Sequence, residues 1–416
     1  MSLLSLGGRS PIDRPAQLEP ASVALQMIPA RSMSREQQLL LLCARSYHGS
    51  DDLSRIRELV LSGIEWDTFL VATASQGVTP LVHSTLVRLG EAAISKSIRD
   101  ELARRYRAIA TRNLFLAART CEVVTLLENA GIRSLAYKGA PLAIQAYGSL
   151  TLREFGDVDI LVDHSDYPAA CCFFRELGCS EVDWGWESTY QAPQMGVTID
   201  LHRELFPERF PVKLLFRDAW ERTEIIPILS RNARTMSRED MLVVLAVQLM
   251  KDVWSSSGVR LSKLCDIAEL IRSSRELDWG RITSASRGPG VSRMLAVSFD
   301  LIRELLGVEN DLPEFPEQRS RAYFRVVDFV RSRLTRGDTE FRYLGVSGNK
   351  WFHFWLRERW RDRLQPISSE ILLKMRPNVR DYSLVSLPAP LRHFYFVVRP
   401  FRLFRDHVLH AKRDKD

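Results

Sequence analysis

The sequence has six cysteines (Cys43, Cys121, Cys171, Cys172, Cys179 and Cys265) but no CxxC pair, so it offers no zinc-binding spacing. It has no G-x-x-x-x-G-K-S/T phosphate loop, no G-x-S-x-G and no H-E-x-x-H. No repeat at a fixed period and no low-complexity segment occurs. The run Met241 to Met250 is uncharged but far too short to span a bilayer, so no integral membrane insertion is expected. The N-terminus lacks a charged-then-apolar signal pattern, and residues 1–34 read as a flexible polar lead. Cysteines that fall on apolar helical faces act as small hydrophobes, which implies a reducing, cytoplasmic setting.

What is present fits a globular protein. The chain has 416 residues, 45% hydrophobic and 26% charged, long enough for two or three packed subdomains. Lys plus Arg number 58 against 51 Asp plus Glu, a net charge of +7. That mild basic excess suits a phosphate-bearing partner, but it is spread too widely to single out nucleic acid.

The apolar period divides the chain. Residues 35–131 read as helices, with Leu39 to Leu42, then Ile56, Leu59, Val60 and Leu61, then Phe69, Leu70 and Ala74 at helical spacing. A longer helix is predicted from about Ile94 to Ala130, carrying Leu102, Tyr106, Ile109, Leu114, Leu116, Val123, Leu126 and Leu127. Gly131 ends it as a C-cap. Residues 132–232 switch to strands at 134–137, 158–162, 196–201 and 224–228. Helices at 140–147 and 167–177 lie between them, the latter with Phe173, Phe174 and Leu177 turned inward. This predicts an α+β fold, a small mixed sheet with helices on one side. Helices resume over 233–345, at 238–250, 261–271, 291–306 and 319–334. Residues 346–416 form a basic, aromatic-rich tail, with Trp351, Trp355 and Trp360 among Arg357, Arg359, Arg361 and Arg363. The tail reads as an amphipathic helical end, and its composition also fits contact with RNA or an anionic membrane surface.

Candidate chemistry sits in the strands. In Gly156-Asp157-Val158-Asp159-Ile160-Leu161-Val162, alternation puts Asp157 and Asp159 on one face and the apolar residues on the other. Two such carboxylates repel and are costly to desolvate, unless a divalent cation lies between them. A bare DxD can instead cap backbone or pair with arginines. A third acid, Asp200, lies inside the apolar run Val197-Thr198-Ile199-Asp200-Leu201-His202. If the two strands are neighbours, three carboxylates meet and suit a two-metal site for Mg²⁺ or Mn²⁺. Lys138-Gly139 stands between a strand and a helix. Gly139 would let backbone approach a phosphate there, with Lys138 adding charge; the plainer reading is a surface lysine and a turn glycine. Arg153 either binds phosphate or pairs with Glu154 or Asp157. His202 shares the face of Asp200, as a proton acceptor, a partner of the metal ligands or a structural histidine. Lys251, Lys263 and Asp266 read as a solvated helix face or as a grip on base or triphosphate.

Together, Tyr137-Lys138-Gly139, Arg153, G-D-V-D-I-L-V and V-T-I-D-L-H resemble the bacterial nucleotidyltransferases of the DNA polymerase β-like superfamily. More narrowly they resemble a branch with Lys-Gly where better-known members carry Gly-Gly or Gly-Ser. Trp66, Gly77-Val78-Thr79-Pro80-Leu81, the 263–270 helix and the closing Leu387-Pro388 to Arg399-Pro400 extend the similarity. The resemblance implies transfer of a nucleoside monophosphate from an NTP to an acceptor, with loss of pyrophosphate. Asp157 and Asp159 would bind metal, Asp200 would complete the site and help deprotonate the acceptor, and Gly139 with Lys138 would hold the triphosphate. Lys138 replaces a small residue, and Gln248 stands where a histidine is expected. RNA, a protein, a modified peptide or a small molecule would all fit as acceptor. Two other classes compete. One is a DxD glycosyltransferase, disfavoured because the preceding region is helical; the other is a non-catalytic adaptor that retains the fold.

Overall fold

The computed structural model describes residues 33–90, 93–183, 187–207, 210, 212, 219–254, 259–308, 312–335 and 346–364. The readings for the N-terminal lead and for the tail beyond 364, including 387–400, lie outside the described residues.

Five helices come first: α1 Arg35–Cys43, α2 Ser50–Leu61, α3 Trp66–Ser75, α4 Thr79–Arg88 and α5 Lys96–Asn129. A capping box starts α1, in which the Ser34 hydroxyl accepts from the Gln37 N–H and the Gln37 side chain accepts from the Ser34 N–H. Gly131, at φ +72°, follows the end of α5. The buried stripe of α5 runs through Asn113, Leu116, Ala117, Thr120, Cys121, Val124 and Leu127. Leu114 falls outside it and is exposed, contrary to expectation, because Asn113 takes the inward position. Leu61, Ala74 and Leu177 are exposed for the same geometric reason, each sitting off its helix's inward stripe or past its end.

The sheet follows, with β1 Ser134–Ala136, α6 Gly139–Tyr147, β2 Val158–Val162, α7 Tyr167–Glu176, β3 Ser180–Asp183, β4 Glu187–Ala192 and β5 Val197–His202. Its order is β1-β2-β5-β4-β3. Only β2 and β5 run parallel; the other pairs are antiparallel. The mixed direction matches expectation. Strands β3 and β4 did not stand out in the sequence, since Glu187-Ser-Thr-Tyr-Gln-Ala192 is largely polar and turns only Ser188, Tyr190 and Ala192 inward. A separate hairpin, β6 Thr223–Ile228 and β7 Arg231–Met236, succeeds it. The second strand of that hairpin was also missed, for the same polar composition.

Helices then return: α8 Arg238–Trp254, α9 Leu261–Ser273, α10 Trp279–Arg287, α11 Ser292–Leu306, α12 Arg321–Thr335 and α13 Val346–Leu356. Every residue of α8 from Met241 to Met250 is buried, so the uncharged run is the central helix of a core. Among the described residues no helix is long and apolar enough to cross a membrane.

Alternation assigns the two sheet faces. Val158, Ile160 and Val162 of β2 join Val197, Ile199 and Leu201 of β5 in one core with Leu116 and Leu127 of α5, Ala140 of α6 and Phe174 of α7. Leu161 joins the other core, which holds the helices from α8 onward. The expected one-sided cover is therefore half of the arrangement: α8 and α9 face the acid-bearing side across a cleft.

Candidate functional site

Parallel pairing of β2 with β5 sets Asp159 directly opposite Asp200. His202 lies two residues beyond Asp200 and so shares its face. Ligand-type atoms of Asp159, Asp200 and His202 all lie within 4.8 Å of one another. Asp157 immediately precedes β2 and lines the same cleft, as does Glu187 at the start of β4.

The acids are unequally compensated. Asp159 Oδ1 accepts from Lys138 Nζ at 3.1 Å and lies 3.0 Å from His202 Nε2. His202 Nδ1 lies 3.0 Å from Glu187 Oε2, and the Tyr137 ring meets the imidazole edge-on. Burial alone would raise the Asp159 carboxyl, but Lys138 and His202 outweigh it and hold it well below the usual range. Burial alone would lower the His202 ring, but its hydrogen bonds to Asp159 and Glu187 hold it above its ordinary value. Asp157 is pushed up to about 6, first by the Asp159 carboxylate, then by burial and by Asp200. Asp200 accepts from Thr189 Oγ1 at 2.9 Å, yet burial raises it, with Asp159 adding to the shift. One acid is thus neutralised by fixed partners and two are not. A donor set of carboxylate oxygens with excess negative charge fits Mg²⁺ or Mn²⁺.

Lys138 is no surface residue. Its side chain is 12% exposed, and its ammonium lies 4.6 Å from the centre of the Tyr137 ring. Burial would lower the ammonium, but Asp159 holds it above its usual value. The chain turns from β1 into α6 at Lys138, with φ +53° and ψ −146°, followed by Gly139 at φ +39°. Glycine adopts such angles freely, whereas a side-chain-bearing residue loses on the order of 1–3 kcal/mol. Gly139 begins α6 and lines the cleft.

Arg153 pairs with neither Glu154 nor Asp157. Its Nε and Nη2 donate to the two carboxylate oxygens of Asp266 at 2.9 and 3.0 Å. Tyr147 donates to the same carboxylate at 2.9 Å. Asp266 is 1% exposed, so its expected solvated position is corrected: it anchors a buried pair between α9 and the loop before β2. Asn113 of α5 fixes that loop from the other side, donating to the carbonyls of Leu150 and Arg153 at 2.8 and 2.6 Å. The loop that delivers Asp157 is therefore held by helices on both sides of the sheet in sequence.

The cleft measures about 350 Å³. Carboxylates form one wall; Lys251 and Lys263, from α8 and α9, stand on the other beside Gln248, where the resemblance expected a histidine. Asp252 lies 3.4 Å from Lys251 Nζ and 3.9 Å from Lys263 Nζ. Burial holds the Lys263 ammonium below its usual value, with Asp252 offsetting only part. Sequence reasoning missed Glu187, Thr189, Asn113 and Tyr147. The first two lie on the unrecognised β4; Asn113 follows Thr111-Arg112 in a charge-rich helix and Tyr147 closes α6, so neither gave a local signal.

A small mixed sheet, carboxylates opposite one another on its parallel strands, and a Lys-Gly turn into the adjoining helix are the features on which the sequence resembles a nucleotidyltransferase. The model of the uncharacterised nucleotidyltransferase family matches residues 62–307, more than half of the chain, and the chain belongs to that family. That span takes in helices from both flanks of the sheet as well as the sheet itself. No curated protein matches the chain in sequence. Among solved structures, the chain is similar to an antigenic nucleotidyltransferase-like protein from Paracoccidioides brasiliensis. Identity is 12% and the TM-score 0.30, over 53% of this chain and 94% of that one, a likeness too slight to bear on the site.

Proposed function

We propose that this protein moves a nucleoside monophosphate from an NTP to an acceptor, releasing pyrophosphate, and that it belongs to the Lys-Gly branch of bacterial nucleotidyltransferases. The observation that carries the reading is the register pairing of Asp159 with Asp200, beside an Asp157 whose carboxyl is pushed up to about 6 by Asp159 and burial despite Lys138 and Arg153. Asp157, Asp159 and Asp200 would hold Mg²⁺ or Mn²⁺, with His202 orienting Asp159 from behind. When bound, the ion would supply charge neutralisation and Lewis acidity toward phosphate oxygens. Asp200, kept more basic by burial, is suited to take the proton of the acceptor hydroxyl. Gly139 and Lys138 border the N-terminus of α6, whose N–H groups and dipole favour an anion. Lys251 and Lys263 give the facing wall the positive charge that a polyphosphate needs. Arg153 adds charge to the same cleft while its own donors stay on Asp266. The six free thiols fit a reducing, cytoplasmic setting.

An adaptor that merely kept the fold would gain nothing from two uncompensated acids, so the same observation disfavours that alternative. Titration calorimetry with each of ATP, GTP, CTP and UTP in the presence of Mg²⁺ tests the reading. At least one should bind, and binding should fail in Asp159→Asn. Absence of binding by all four would overturn it.

A further inference from the structure

The backbone at Lys138 poses a question that transfer chemistry alone does not answer. Glycine would make the turn from β1 into α6 without strain. Lysine makes it at φ +53°. Its ammonium sits 3.1 Å from Asp159 Oδ1 and 4.6 Å from the Tyr137 ring centre. The same oxygen is 3.0 Å from His202 Nε2, so Oδ1 of Asp159 is already occupied by two fixed partners.

We infer that Lys138 is the fixed cation of this site, its ammonium standing in for a second divalent ion, so that Asp157, Asp159 and Asp200 hold one divalent ion and not two. The inference rests on the metal reading above and narrows it. Geometry limits the number. Oδ1 of Asp159 already meets both Lys138 Nζ at 3.1 Å and His202 Nε2 at 3.0 Å, so a second ion seated on that oxygen would have to displace one of them. The position of Lys138 is also fixed in a way a mobile ion is not. Its backbone lies at the junction of a strand and a helix, its ammonium lies 4.6 Å from the Tyr137 ring centre, and its side chain is 12% exposed. A preplaced ammonium costs no reorganisation when a phosphate enters. It also cannot be removed by chelation.

Mn²⁺ binding to the full chain at neutral pH tests this, by calorimetry and by the loss of the free-ion electron paramagnetic resonance signal. Wild type should bind one Mn²⁺. Lys138→Met, which keeps the strained backbone and removes the charge, should bind two. Lys138→Gly, which relieves the strain and removes the charge, should also bind two and should melt at a higher temperature than Lys138→Met. Two ions in wild type, or one in both variants, would overturn the inference and leave the metal reading intact. A second ion in Lys138→Gly but not in Lys138→Met would trace the effect to the backbone and overturn it as well. No Mn²⁺ bound by wild type would overturn both.

Discussion

Asp157→Asn should make the metal-free protein more stable and the metal-loaded protein less so. The unfolded chain titrates Asp157 near 3.8, and the fold pushes it up to about 6, through Asp159 first and burial second. A raised carboxyl means that its ionised form opposes folding. That cost is absent below about pH 4, grows between about pH 4 and 6, and is constant above. Two pKa steps at about 1.4 kcal/mol each give roughly 3 kcal/mol at pH 7, an upper figure because the acids can shift apart. For a chain of this size that is a rise in melting temperature of roughly 4 °C. The gain should vanish at pH 4, where wild type no longer carries the charge. Mn²⁺ should reverse the order. At a thousandfold excess over its dissociation constant a ligand adds about 4.1 kcal/mol to the state that binds it, more than the roughly 3 kcal/mol that separates the two metal-free proteins. Wild type should gain that much and the variant, lacking one ligand, clearly less. Thermal melts at pH 4 and pH 7, with EDTA and with Mn²⁺, read all of this in one series. A variant that is less stable at pH 7 in EDTA would refute the claim that these acids repel, and an undiminished Mn²⁺ shift would refute the role of Asp157 as ligand.

Two further outcomes follow from the same contacts. Asp266→Asn leaves the buried Arg153 guanidinium without its carboxylate and should cost about 3–5 kcal/mol in urea denaturation, whereas neutralising the exposed Asp100 of the Lys96–Asp100 pair should leave the midpoint almost unchanged. His202 is raised above its usual value by Asp159 and Glu187, so its stabilising contribution is full below pH 6.5 and is lost as pH climbs through its higher folded value. His202→Gln should therefore destabilise the protein more at pH 6 than at pH 9, measured by denaturant midpoints at the two pH values.

The acid-bearing strands were legible because their pattern is strong. Val158, Ile160 and Val162 alternate with Asp159 in a run apolar enough to be buried, and Ile199 and Leu201 do the same around Asp200. The range predicted for β2 agrees with the structure to the residue. What the sequence could not show is pairing. Nothing local says that Asp266 will meet Arg153, 113 residues earlier in the chain, or that Asn113 will hold the intervening loop. Strands β4 and β7 escaped notice because their outward positions are polar and their inward ones small or mixed, so neither composition nor alternation was decisive. Lys138 was legible as a residue and not as a conformation. Its positive φ comes from the junction of β1 with α6, and that junction exists only once Asp159 lies beside Tyr137, whose N–H bonds the Asp159 carbonyl.

The central claim is that these acids support nucleotidyl transfer, and its most direct test follows the α-phosphate. The purified chain should be incubated with Mg²⁺, cell extract and each NTP labelled in turn at the α- and the γ-phosphate. The account predicts that α-label becomes attached to an acceptor, that γ-label leaves as pyrophosphate, and that Asp159→Asn and Asp200→Asn abolish the transfer while remaining folded. Attachment of γ-label instead, or α-label transfer undiminished in both variants, would contradict it.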